Sequence, residues 1–346
     1  MDRYAVIGGG SWATALTKIL TDNHRNIQWW VRSEAVVKYI QVRHHNPHYL
    51  NSILFDISLI HLSTDVKEVV AAADCIVIAV PSAYIMDILQ LLPTNAFEGK
   101  KIISAVKGIL PDKNLLLNDY LKQEFNVPPE NYFTIMGPCH AEEVAAEKLS
   151  YLTFSGMDEK KTSEIAACFN TVYLNSIVNQ DVYGVQYAAV LKNIYAVGAG
   201  IAHGLEYGDN FQSVLIANCA DEMAGFLKKA GIRNMEVGIH GEMNPVSHKK
   251  SANYAASVYL GDLLVTCYSL YSRNRTFGNM IGKGYSVKTA QLEMNMVAEG
   301  YNASKCMYII NKEIGAEMPI AKAVYQIMWE GLSPTSGFAE IEENLV

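Results

Sequence analysis

The stretch VIGGGSWATALTKIL, from Val6 to Leu20, places three consecutive glycines between two segments of regular pattern. The residues RYAVI ahead of the glycines have the short apolar pattern of a buried strand, and WATALTKIL is typical of a helix. Gly8, Gly10 and Ala13 fit the three small positions of a G-x-G-x-x-G/A motif. An ordinary glycine turn is the alternative interpretation. Because the motif joins a strand to a helix, it instead favours a loop that presents backbone N–H groups to the pyrophosphate of a dinucleotide.

The composition is that of a globular protein with room for two domains. The chain has 346 residues, of which 50% are hydrophobic and 18% are charged, and its formal net charge is −7. A negative net charge gives no general attraction to nucleic acid or to an anionic membrane. We therefore expect neither as a partner, and any anionic ligand must be held by local basic residues.

The cysteines and the apolar runs indicate the compartment. The cysteines are scattered without a C-x-x-C pair, which is typical of thiols in a reducing compartment. They are Cys75, Cys139, Cys168, Cys219, Cys267 and Cys306. No apolar run approaches the roughly 18 residues of a membrane span, and the N-terminus lacks the pattern of a signal peptide. We expect a cytoplasmic, soluble protein without membrane insertion.

The first half of the chain alternates strand-like and helix-like segments. Helical patterns such as SEAVVKYIQVR and SAYIMDILQLL separate short apolar runs. The runs are YAVIG, NIQWWV, CIVIAVP, KKIISAVKG, YFTIMGP and LSYLTFSG. This alternation predicts an α/β fold, with a Rossmann-like dinucleotide-binding domain over residues 1–180 whose mostly parallel sheet is covered by helices on both faces. The ligand site is expected at the carboxyl ends of the strands.

The second half predicts an all-helical domain over residues 181–346 that carries the substrate and the catalytic residues. Its candidate helices are VYGVQYAAVLKNIYAVGAGIAHGL, SVLIANCADEMAGFLKKA, VKTAQLEMNMVAEG and ASKCMYIINKEIG. Residues 233–257 have the least pattern, and we interpret them as a loop or an insertion.

The residues after the second predicted strand bear on which dinucleotide is bound. NAD-binding units usually place an acidic residue there, about 20 residues past the glycines, to hold the ribose 2′-hydroxyl. Here NIQWW is followed by Val31, Arg32 and Ser33. An arginine and a serine suit a 2′-phosphate, which a carboxylate would repel. NADP is therefore favoured, and the nearby Glu34 leaves NAD open.

Two lysines could carry chemistry. Lys107 lies in SAVKG at the end of a predicted strand, where it could bind a substrate phosphate or be a solvated loop cation. Lys192 lies within the apolar helix VQYAAVLKNIYAVGAG, where it must either reach water or face a cleft. Desolvation lowers the pKa of an ammonium group toward neutrality, which suits proton donation to a carbonyl.

Two further candidate groups lie in GDLLVTC and SRNR. Asp262 and Thr266 are four residues apart, so a helix would place them on one face. In SRNR, Arg273 has the neighbouring polar groups of Ser272 and Asn274, and a guanidinium in such a setting can bind a phosphate with its planar fork. Each group could instead be an exposed helix cap or loop.

Together these motifs resemble the bacterial-type NAD(P)-dependent glycerol-3-phosphate dehydrogenases. GGGSWATAL is similar to the family's GxGSWGTAL, and KG, GP-x-x-A-x-E, KN, GDL-x-x-TC, SRNR-x-x-G, VxEG and MPI follow in the family's order. The resemblance implies reversible, NAD(P)H-dependent reduction of dihydroxyacetone phosphate to sn-glycerol 3-phosphate, the backbone of glycerophospholipids. It also implies a homodimer.

The resemblance assigns roles to individual residues. It implies a dinucleotide site formed by Gly8, Gly10, Ser11, Trp12, Arg32, Lys107, Ala141, Arg273, Val297 and Glu299. It implies a substrate site formed by Lys107, Gly137, Cys139, Lys192, Asp262, Ser272, Arg273 and Asn274. Lys192 would be the proton donor and acceptor, with Asp262 and Thr266 orienting it.

The chain departs from the family pattern in several places. The family usually has Ser or Thr where Cys139 stands, and GLAGLGD where this chain has AASVYLGD ahead of the aspartate. The stretch before that motif is longer than in most members, and NFQSVLIANCADEM replaces a helix that usually carries an arginine. None of these changes removes a chemical group that the reaction needs.

Other functions remain open at this point. A β-hydroxyacid dehydrogenase of similar architecture would act on a carboxylate with a helical lysine, whereas SRNR favours a phosphate. A catalytically silent dinucleotide sensor is a further alternative, against which the intact Lys192–Asp262 pair argues. His44, His45 and His48 in RHHNPHYL could suggest a metal site, but no carboxylate or cysteine completes one nearby, so no metal is expected.

Overall fold

A computed structural model of the chain describes residues 2–232, 257–294 and 297–345, which divide into two units. The first unit comprises Met1–Val106 and Leu115–Val182, and the second comprises Lys107–Asn114 and Tyr183–Val346. The predicted domain boundary near residue 180 places Lys107–Asn114 in the first domain. In the structure this short segment groups with the second unit. Nearly all of the unpatterned segment 233–257 lies outside the described residues.

The first unit is built on one eight-stranded sheet. Its strands are β1 (Tyr4–Ile7), β2 (Ile27–Trp30), β3 (Ile60–Ser63), β4 (Cys75–Ile78), β5 (Lys101–Ser104), β6 (Tyr132–Met136), β7 (Ser150–Gly156) and β8 (Leu174–Asn179). They lie in the order β3-β2-β1-β4-β5-β6-β7-β8, and only the β6–β7 pair is antiparallel. The prediction of a mostly parallel α/β sheet is confirmed.

Seven helices accompany the sheet. They are α1 (Ser11–Asp22), α2 (Glu34–Arg43), α3 (Val66–Ala71), α4 (Ser82–Leu89), α5 (Leu117–Phe125), α6 (Ala141–Ala145) and α7 (Glu159–Ala167). Successive residues of β4 point to opposite faces of the sheet. Cys75 and Val77 join the apolar core that contains Leu16 of α1, whereas Ile76 and Ile78 pack toward the apolar side chains of α3 and α4. Helices therefore cover both faces, as the apolar runs predict.

The strand order reverses between β1 and β4, which are neighbours at the centre of the sheet. Val6 of β1 pairs with Trp29 on one side and Val77 on the other. The chain moves outward through β2 and β3 in one direction and through β5 onward in the other. A reversal of this kind opens a crevice at the carboxyl ends of the strands, where the glycine loop emerges from β1.

From Tyr183 onward, the described residues of the second unit form helices joined by loops, whereas its segment Lys107–Asn114 contains no helix. Its helices are α8 (Val182–Gly204), α9 (Asp209–Lys229), α10 (Asp262–Tyr268), α11 (Arg273–Gly282), α12 (Val287–Glu293), α13 (Glu299–Ile314), α14 (Pro319–Tyr325) and α15 (Pro334–Glu342). Two π-helical turns, Ser257–Gly261 and Gln326–Glu330, complete it.

One helix prediction was wrong. The stretch 287–300 is not a single helix, because α12 ends at Glu293, Met294 is extended at φ −86° and ψ 120°, and α13 begins at Glu299. Gly300 donates its backbone N–H to Oδ1 of Asn274 at 2.9 Å. A continuous helix would use that N–H for its own i−4 bond, so the buried side-chain contact competes with helix continuation.

The backbones of α8 and α11 lie in close contact within the second unit. A Cβ on Gly200 would lie 2.1 Å from the carbonyl oxygen of Arg275, and a Cβ on Gly278 would lie 2.0 Å from that of Val197. Only glycine permits these backbones to approach so closely. The crossing brings the helix of Lys192 against the helix that begins with SRNR.

Within the described parts of the chain, no helix has both the length and the apolar character needed to cross a bilayer.

Candidate active site

The loop between β1 and α1 has a backbone that only glycine can adopt. Gly8 has φ +137°, and a Cβ there would lie 2.4 Å from the carbonyl oxygen of Ala79. Gly10 is the N-cap of α1, and a Cβ built on it would meet no atom within 4 Å. The chain therefore turns tightly at Gly8 and leaves open space above Gly10.

This loop fits the pyrophosphate of a dinucleotide. The backbone N–H groups of Gly9 and Gly10 make no hydrogen bond with any described residue. The first turn of α1 contains no acidic side chain, and no side chain caps the helix. Exposed N–H groups at a helix N-terminus attract an anion through direct donation and through the helix dipole.

Other residues of the expected dinucleotide and substrate sites also lie in the first unit. Ser11 and Trp12 form the start of α1, and Ala141 begins α6, which packs against α1 in the core. Gly137 has φ +125° and follows β6 directly. Cys139 is buried and its Sγ–H donates to the carbonyl oxygen of Tyr151 at 3.2 Å, so a thiol makes a bond that Ser or Thr could also make.

An arginine and a glutamate, Arg32 and Glu34, follow the end of β2. Arg32 is exposed, and its guanidinium forms no bond with the described residues. Ser33 is the N-cap of α2 and accepts a bond from the N–H of Val36. Glu34 pairs with Lys38 at 2.8 Å, one helical turn away. The arginine is thus available to a ligand, and the carboxylate that would favour NAD lies beside a lysine that offsets its charge in part.

Lys192 and Asp262 form the buried ionic centre of the second unit. Lys192 lies on α8 and Asp262 begins α10, and their side chains are 4% and 2% exposed. Nζ of Lys192 is in direct hydrogen-bond contact with Oδ1 of Asp262. Nζ of Lys107 lies 3.9 Å from the other carboxylate oxygen, Oδ2. Two lysines therefore flank one carboxylate in a site that excludes most water.

The surroundings of Lys192 lower the pKa of its ammonium group. Burial is the largest influence and lowers the pKa of Lys192 to about 8, although the negative charge of Asp262 acts in the opposite direction. The positive charge of Lys107 lowers the same pKa further. An amine with a pKa near 8 exchanges a proton readily at physiological pH, as a general acid requires.

Thr266 contacts Asp262 from one turn further along α10. Its Oγ1 donates to the backbone carbonyl of Asp262 at 2.6 Å and lies 3.5 Å from Oδ1 of the same residue. The two side chains share a face of α10, as their spacing predicts. The π-helical turn Ser257–Gly261 leads directly into Asp262, so the non-glycine sequence SVYLG still delivers the aspartate to Lys192.

A chain of buried amides connects the residues around this centre. Nδ2 of Asn193 donates to the backbone carbonyl of Lys107, and Nδ2 of Asn274 donates to Oδ1 of Asn193, both at 2.9 Å. Oδ1 of Asn274 accepts the N–H of Gly300. Asn193 has no assigned role among the predicted site residues, although its place beside Lys192 in the KN motif was the available signal.

The remaining expected residues lie at helix starts. Ser272 is the N-cap of α11 and accepts a bond from the N–H of Arg275, and Arg273 is the first residue of that helix. Glu299 is the first residue of α13, and Val297 stands two positions before it. These residues belong to the second unit with Lys192, whereas Gly137 and Cys139 belong to the first.

The histidine-rich stretch has other partners. The ring of His45 contacts the hydroxyl of Tyr39 at 3.2 Å and the backbone carbonyl of Arg43 at 2.9 Å. Across residues 2–232, 257–294 and 297–345, no group of three or more His, Cys, Asp or Glu side chains is placed to hold a metal ion.

Known families match both units of the chain. The model of the NAD-dependent glycerol-3-phosphate dehydrogenase N-terminus matches residues 3–162, and that of the C-terminus matches residues 181–339. The glycerol-3-phosphate dehydrogenase (NAD(P)+) of Bacillus pumilus is 33% identical over 334 residues, covering 96% of this chain and 91% of the relative. The protein of the same name from Bacillus subtilis is 33% identical over the same share of each chain.

A solved structure shows the same arrangement of elements. The crystal structure of glycerol-3-phosphate dehydrogenase from Coxiella burnetii superposes with a TM-score of 0.85 at 25% sequence identity. The match covers 99% of both chains.

Proposed function

The chain belongs to the family of NAD-dependent glycerol-3-phosphate dehydrogenases, and on this premise we propose that it reduces dihydroxyacetone phosphate to sn-glycerol 3-phosphate, reversibly, with NADPH or NADH. The product is the backbone of glycerophospholipids. The observation that carries the proposal is the contact between Nζ of Lys192 and Asp262 within a buried site that Lys107 borders.

The two parts of the chain divide the work in this proposal. Residues 1–180 hold the dinucleotide, with Gly8, Gly10 and the first turn of α1 at the pyrophosphate. Residues 181–346 hold the substrate and the catalytic groups. Further contacts to the dinucleotide are assigned to Ser11, Trp12, Arg32, Lys107, Ala141, Arg273, Val297 and Glu299.

Lys192 acts as the proton donor. When bound, the reduced nicotinamide supplies a hydride to the C2 carbonyl of the substrate. Negative charge then develops on the carbonyl oxygen, and the ammonium of Lys192 donates its proton there. Asp262 orients the ammonium, and Thr266 holds Asp262. In the reverse direction the neutral amine of Lys192 accepts the proton from the C2 hydroxyl.

The family resemblance assigns the substrate phosphate to the start of α11 and to individual residues elsewhere in the chain. Arg273 offers a planar fork for phosphate oxygens, and Ser272 lies beside it at the helix N-terminus. Lys107, Gly137 and Cys139 complete the contacts to the triose phosphate. Both polar atoms of the Asn274 amide already have protein partners, so only its second N–H remains for the phosphate.

NADP is the preferred cofactor in this proposal. The free guanidinium of Arg32 can form a charge-assisted bond with a 2′-phosphate, whereas a 2′-hydroxyl offers no charge. Glu34 is held by Lys38 and would repel the phosphate less than a free carboxylate.

The proposal also includes a cytoplasmic homodimer. Five of the six cysteines are buried as free thiols, a state that a reducing compartment preserves.

Leu264 and Tyr268 are exposed one turn apart on α10, and the turn that follows exposes Leu270 and Tyr271. Exposed apolar groups of this kind suit an interface between copies. Light scattering on the purified protein distinguishes a dimer from a monomer.

A substrate panel tests the reaction. Purified enzyme is mixed with NADPH or NADH and with dihydroxyacetone phosphate, unphosphorylated dihydroxyacetone or a 2-keto acid, and loss of the reduced cofactor is followed by its absorbance. The proposal expects rapid oxidation with dihydroxyacetone phosphate alone. Turnover only with the keto acid would support the carboxylate-specific alternative, and binding without turnover would support the sensor.

A further inference from the structure

A buried asparagine lies directly beneath the glycine loop. Asn46 belongs to the histidine-rich stretch RHHNPHYL and is 0% exposed. Its Nδ2 donates to the carbonyl oxygen of Gly9 at 3.2 Å and to Oγ1 of Thr14 at 2.9 Å. Its Oδ1 accepts the backbone N–H groups of His48 at 3.0 Å and Tyr49 at 3.3 Å. All four hydrogen-bonding positions of the amide are therefore used within the first unit.

The orientation of this amide follows from its partners. The carbonyl of Gly9 can only accept, so the nitrogen of Asn46 must face it. The two backbone N–H groups can only donate, so the oxygen must face them. An asparagine satisfies both sides of this position, whereas a carboxylate would set an oxygen against the Gly9 carbonyl.

Two side chains hold successive carbonyls of the glycine loop. Nε1 of Trp29 donates to the carbonyl oxygen of Gly8 at 2.7 Å, and Asn46 holds that of Gly9. No described peptide bond is cis, and in a trans peptide the C=O and the following N–H point in opposite directions. Both carbonyls are drawn toward buried side chains, so the N–H groups of Gly9 and Gly10 point the other way.

Neither of these two N–H groups has a hydrogen-bond partner among the described residues, and Gly10 borders open space. Thr14 supports the arrangement, because its Oγ1 accepts from Asn46 and donates to the carbonyl of Gly10 at 2.9 Å. Paired, outward N–H groups form a concavity that binds anions.

We propose that Asn46 is a positioning residue of the dinucleotide site: by fixing the Gly9 carbonyl inward, it presents the N–H of Gly10 to the pyrophosphate. This inference rests on the proposed function, since it names how that site is held. All hydrogen-bonding positions of the Asn46 amide are used within the chain, so in this proposal it acts on the ligand through the Gly9–Gly10 peptide. Its effect is therefore specific to ligands that contain the pyrophosphate.

The test compares two ligands on the wild-type chain and on Asn46→Ala. NADPH contains the pyrophosphate, and adenosine 2′-monophosphate lacks it while keeping the adenosine and the 2′-phosphate. Both dissociation constants are measured by calorimetry. The expected result is that Asn46→Ala weakens NADPH about tenfold and changes adenosine 2′-monophosphate by less than about twofold. A loss of global packing would weaken both ligands alike.

A second variant separates positioning from a simple loss of packing. Asn46→Asp keeps the size of the side chain and the bonds from His48 and Tyr49, but sets a carboxylate oxygen against the Gly9 carbonyl. The expected result is weaker NADPH binding than in Asn46→Ala. The control is Asn23→Ala, because the Asn23 amide donates to Ile19 at the far end of α1 and should leave both constants unchanged.

Equal losses for the two ligands, or an NADPH constant within about twofold of wild type, would overturn the role of Asn46. If Asn46→Ala does not fold, Thr14→Val is measured in its place, with the same split expected at about threefold and equal losses overturning the proposal. A wild-type chain that binds neither NADPH nor NADH would instead overturn the proposed function.

Discussion

Nζ of Lys192, on α8, makes direct hydrogen-bond contact with Oδ1 of Asp262, the first residue of α10, and water reaches almost none of either side chain. Breaking such a buried pair by removing one partner leaves the other charge uncompensated. The pair therefore couples the chemistry of the proposed reaction to the packing of the second unit, and it is the natural target for mutation.

Replacement of the lysine should abolish turnover and spare the dinucleotide. Lys192→Met removes the proposed proton donor, and general acid catalysis contributes typically 10²–10⁴-fold, so turnover should fall by about 10³-fold. The dissociation constant of NADPH, whose proposed pyrophosphate site lies in the first unit, should remain close to that of wild type. Steady-state kinetics and calorimetry measure the two effects, and near wild-type turnover would show that another group supplies the proton.

The pKa of Lys192 predicts opposite pH dependences for the two directions. Burial lowers this pKa to about 8, so the ammonium is lost as the pH rises through that value. Reduction of dihydroxyacetone phosphate needs the ammonium and should slow above about pH 8, whereas oxidation of glycerol 3-phosphate needs the free amine and should accelerate. Rate profiles at saturating substrate measure both limbs. An inflection near the ordinary lysine value of about 10.4 would contradict the burial argument.

Arg32 should discriminate between the cofactors. Arg32→Ala removes a charge-assisted contact, worth about 1.5–3 kcal/mol, from NADPH alone. The dissociation constant of NADPH should therefore rise by about ten- to a hundredfold while that of NADH changes little. Arg43→Ala, at the exposed C-terminal end of α2, is the matched control for loss of a surface arginine. Equal losses for NADPH and NADH would remove Arg32 from the 2′-phosphate site.

Arg273 should act on the phosphate of the substrate. Arg273→Ala should raise the Michaelis constant for dihydroxyacetone phosphate by about ten- to a hundredfold and affect unphosphorylated dihydroxyacetone much less. Arg273→Lys should restore only part of the loss, because a point charge cannot reproduce the planar fork. NADPH affinity is measured in the same variants, since Arg273 is also assigned to the dinucleotide. An equal penalty on both substrates would revive the carboxylate alternative.

A buried glutamate predicts a pH dependence of stability. Glu222 on α9 accepts the N–H groups of Ile320 and Ala321 at 2.7 and 3.0 Å and the hydroxyl of Tyr195 at 3.1 Å. Burial nevertheless raises the pKa of Glu222 from 4.5 to about 7. The folded state then holds a proton that the unfolded state has released between pH 4.5 and 7, so the contribution to stability falls as the pH rises through this window.

A pKa raised from 4.5 to about 7 corresponds to an effect of about 3 kcal/mol, because a tenfold change in proton affinity is worth about 1.36 kcal/mol. Urea unfolding of wild type and Glu222→Gln across the same window measures it, because the glutamine cannot titrate. The difference in unfolding free energy between the two should shift against wild type as the pH rises. A difference that does not vary with pH would show that Glu222 titrates normally.

The sequence predicts the centre of the sheet better than its edges. The apolar runs correspond to β1, β2 and β4 to β7, because strands in a covered parallel sheet bury both faces. The two missed strands, β3 and β8, lie at the edges of the sheet. There IHLS exposes His61, and most of LNSIVN is only half-buried, so neither reads as an apolar run. Edge position, which the pattern does not encode, explains the omission.

The sequence predicts the individual motifs of the candidate site, but it does not predict which residues from distant elements contact each other. The glycine loop follows from spacing alone, because its backbone demands are local. The pairing of Lys192 with Asp262 joins helices far apart in the chain, so only the family resemblance suggested it. Asn46 has no signal that the motifs use, and the signal for Asn193 is its place beside Lys192 in the KN motif, because the partners that identify a buried amide come from other elements.

Transfer of deuterium tests the central claim most directly. Wild-type enzyme is given dihydroxyacetone phosphate and NADPH carrying deuterium at the reactive C4 position of the nicotinamide, and the product is examined by mass spectrometry and NMR. The account predicts glycerol 3-phosphate with one deuterium at C2, formed by wild type and not measurably by Lys192→Met in the same time. Unlabelled glycerol 3-phosphate, or dihydroxyacetone phosphate that remains unreduced while the cofactor is bound, would contradict it.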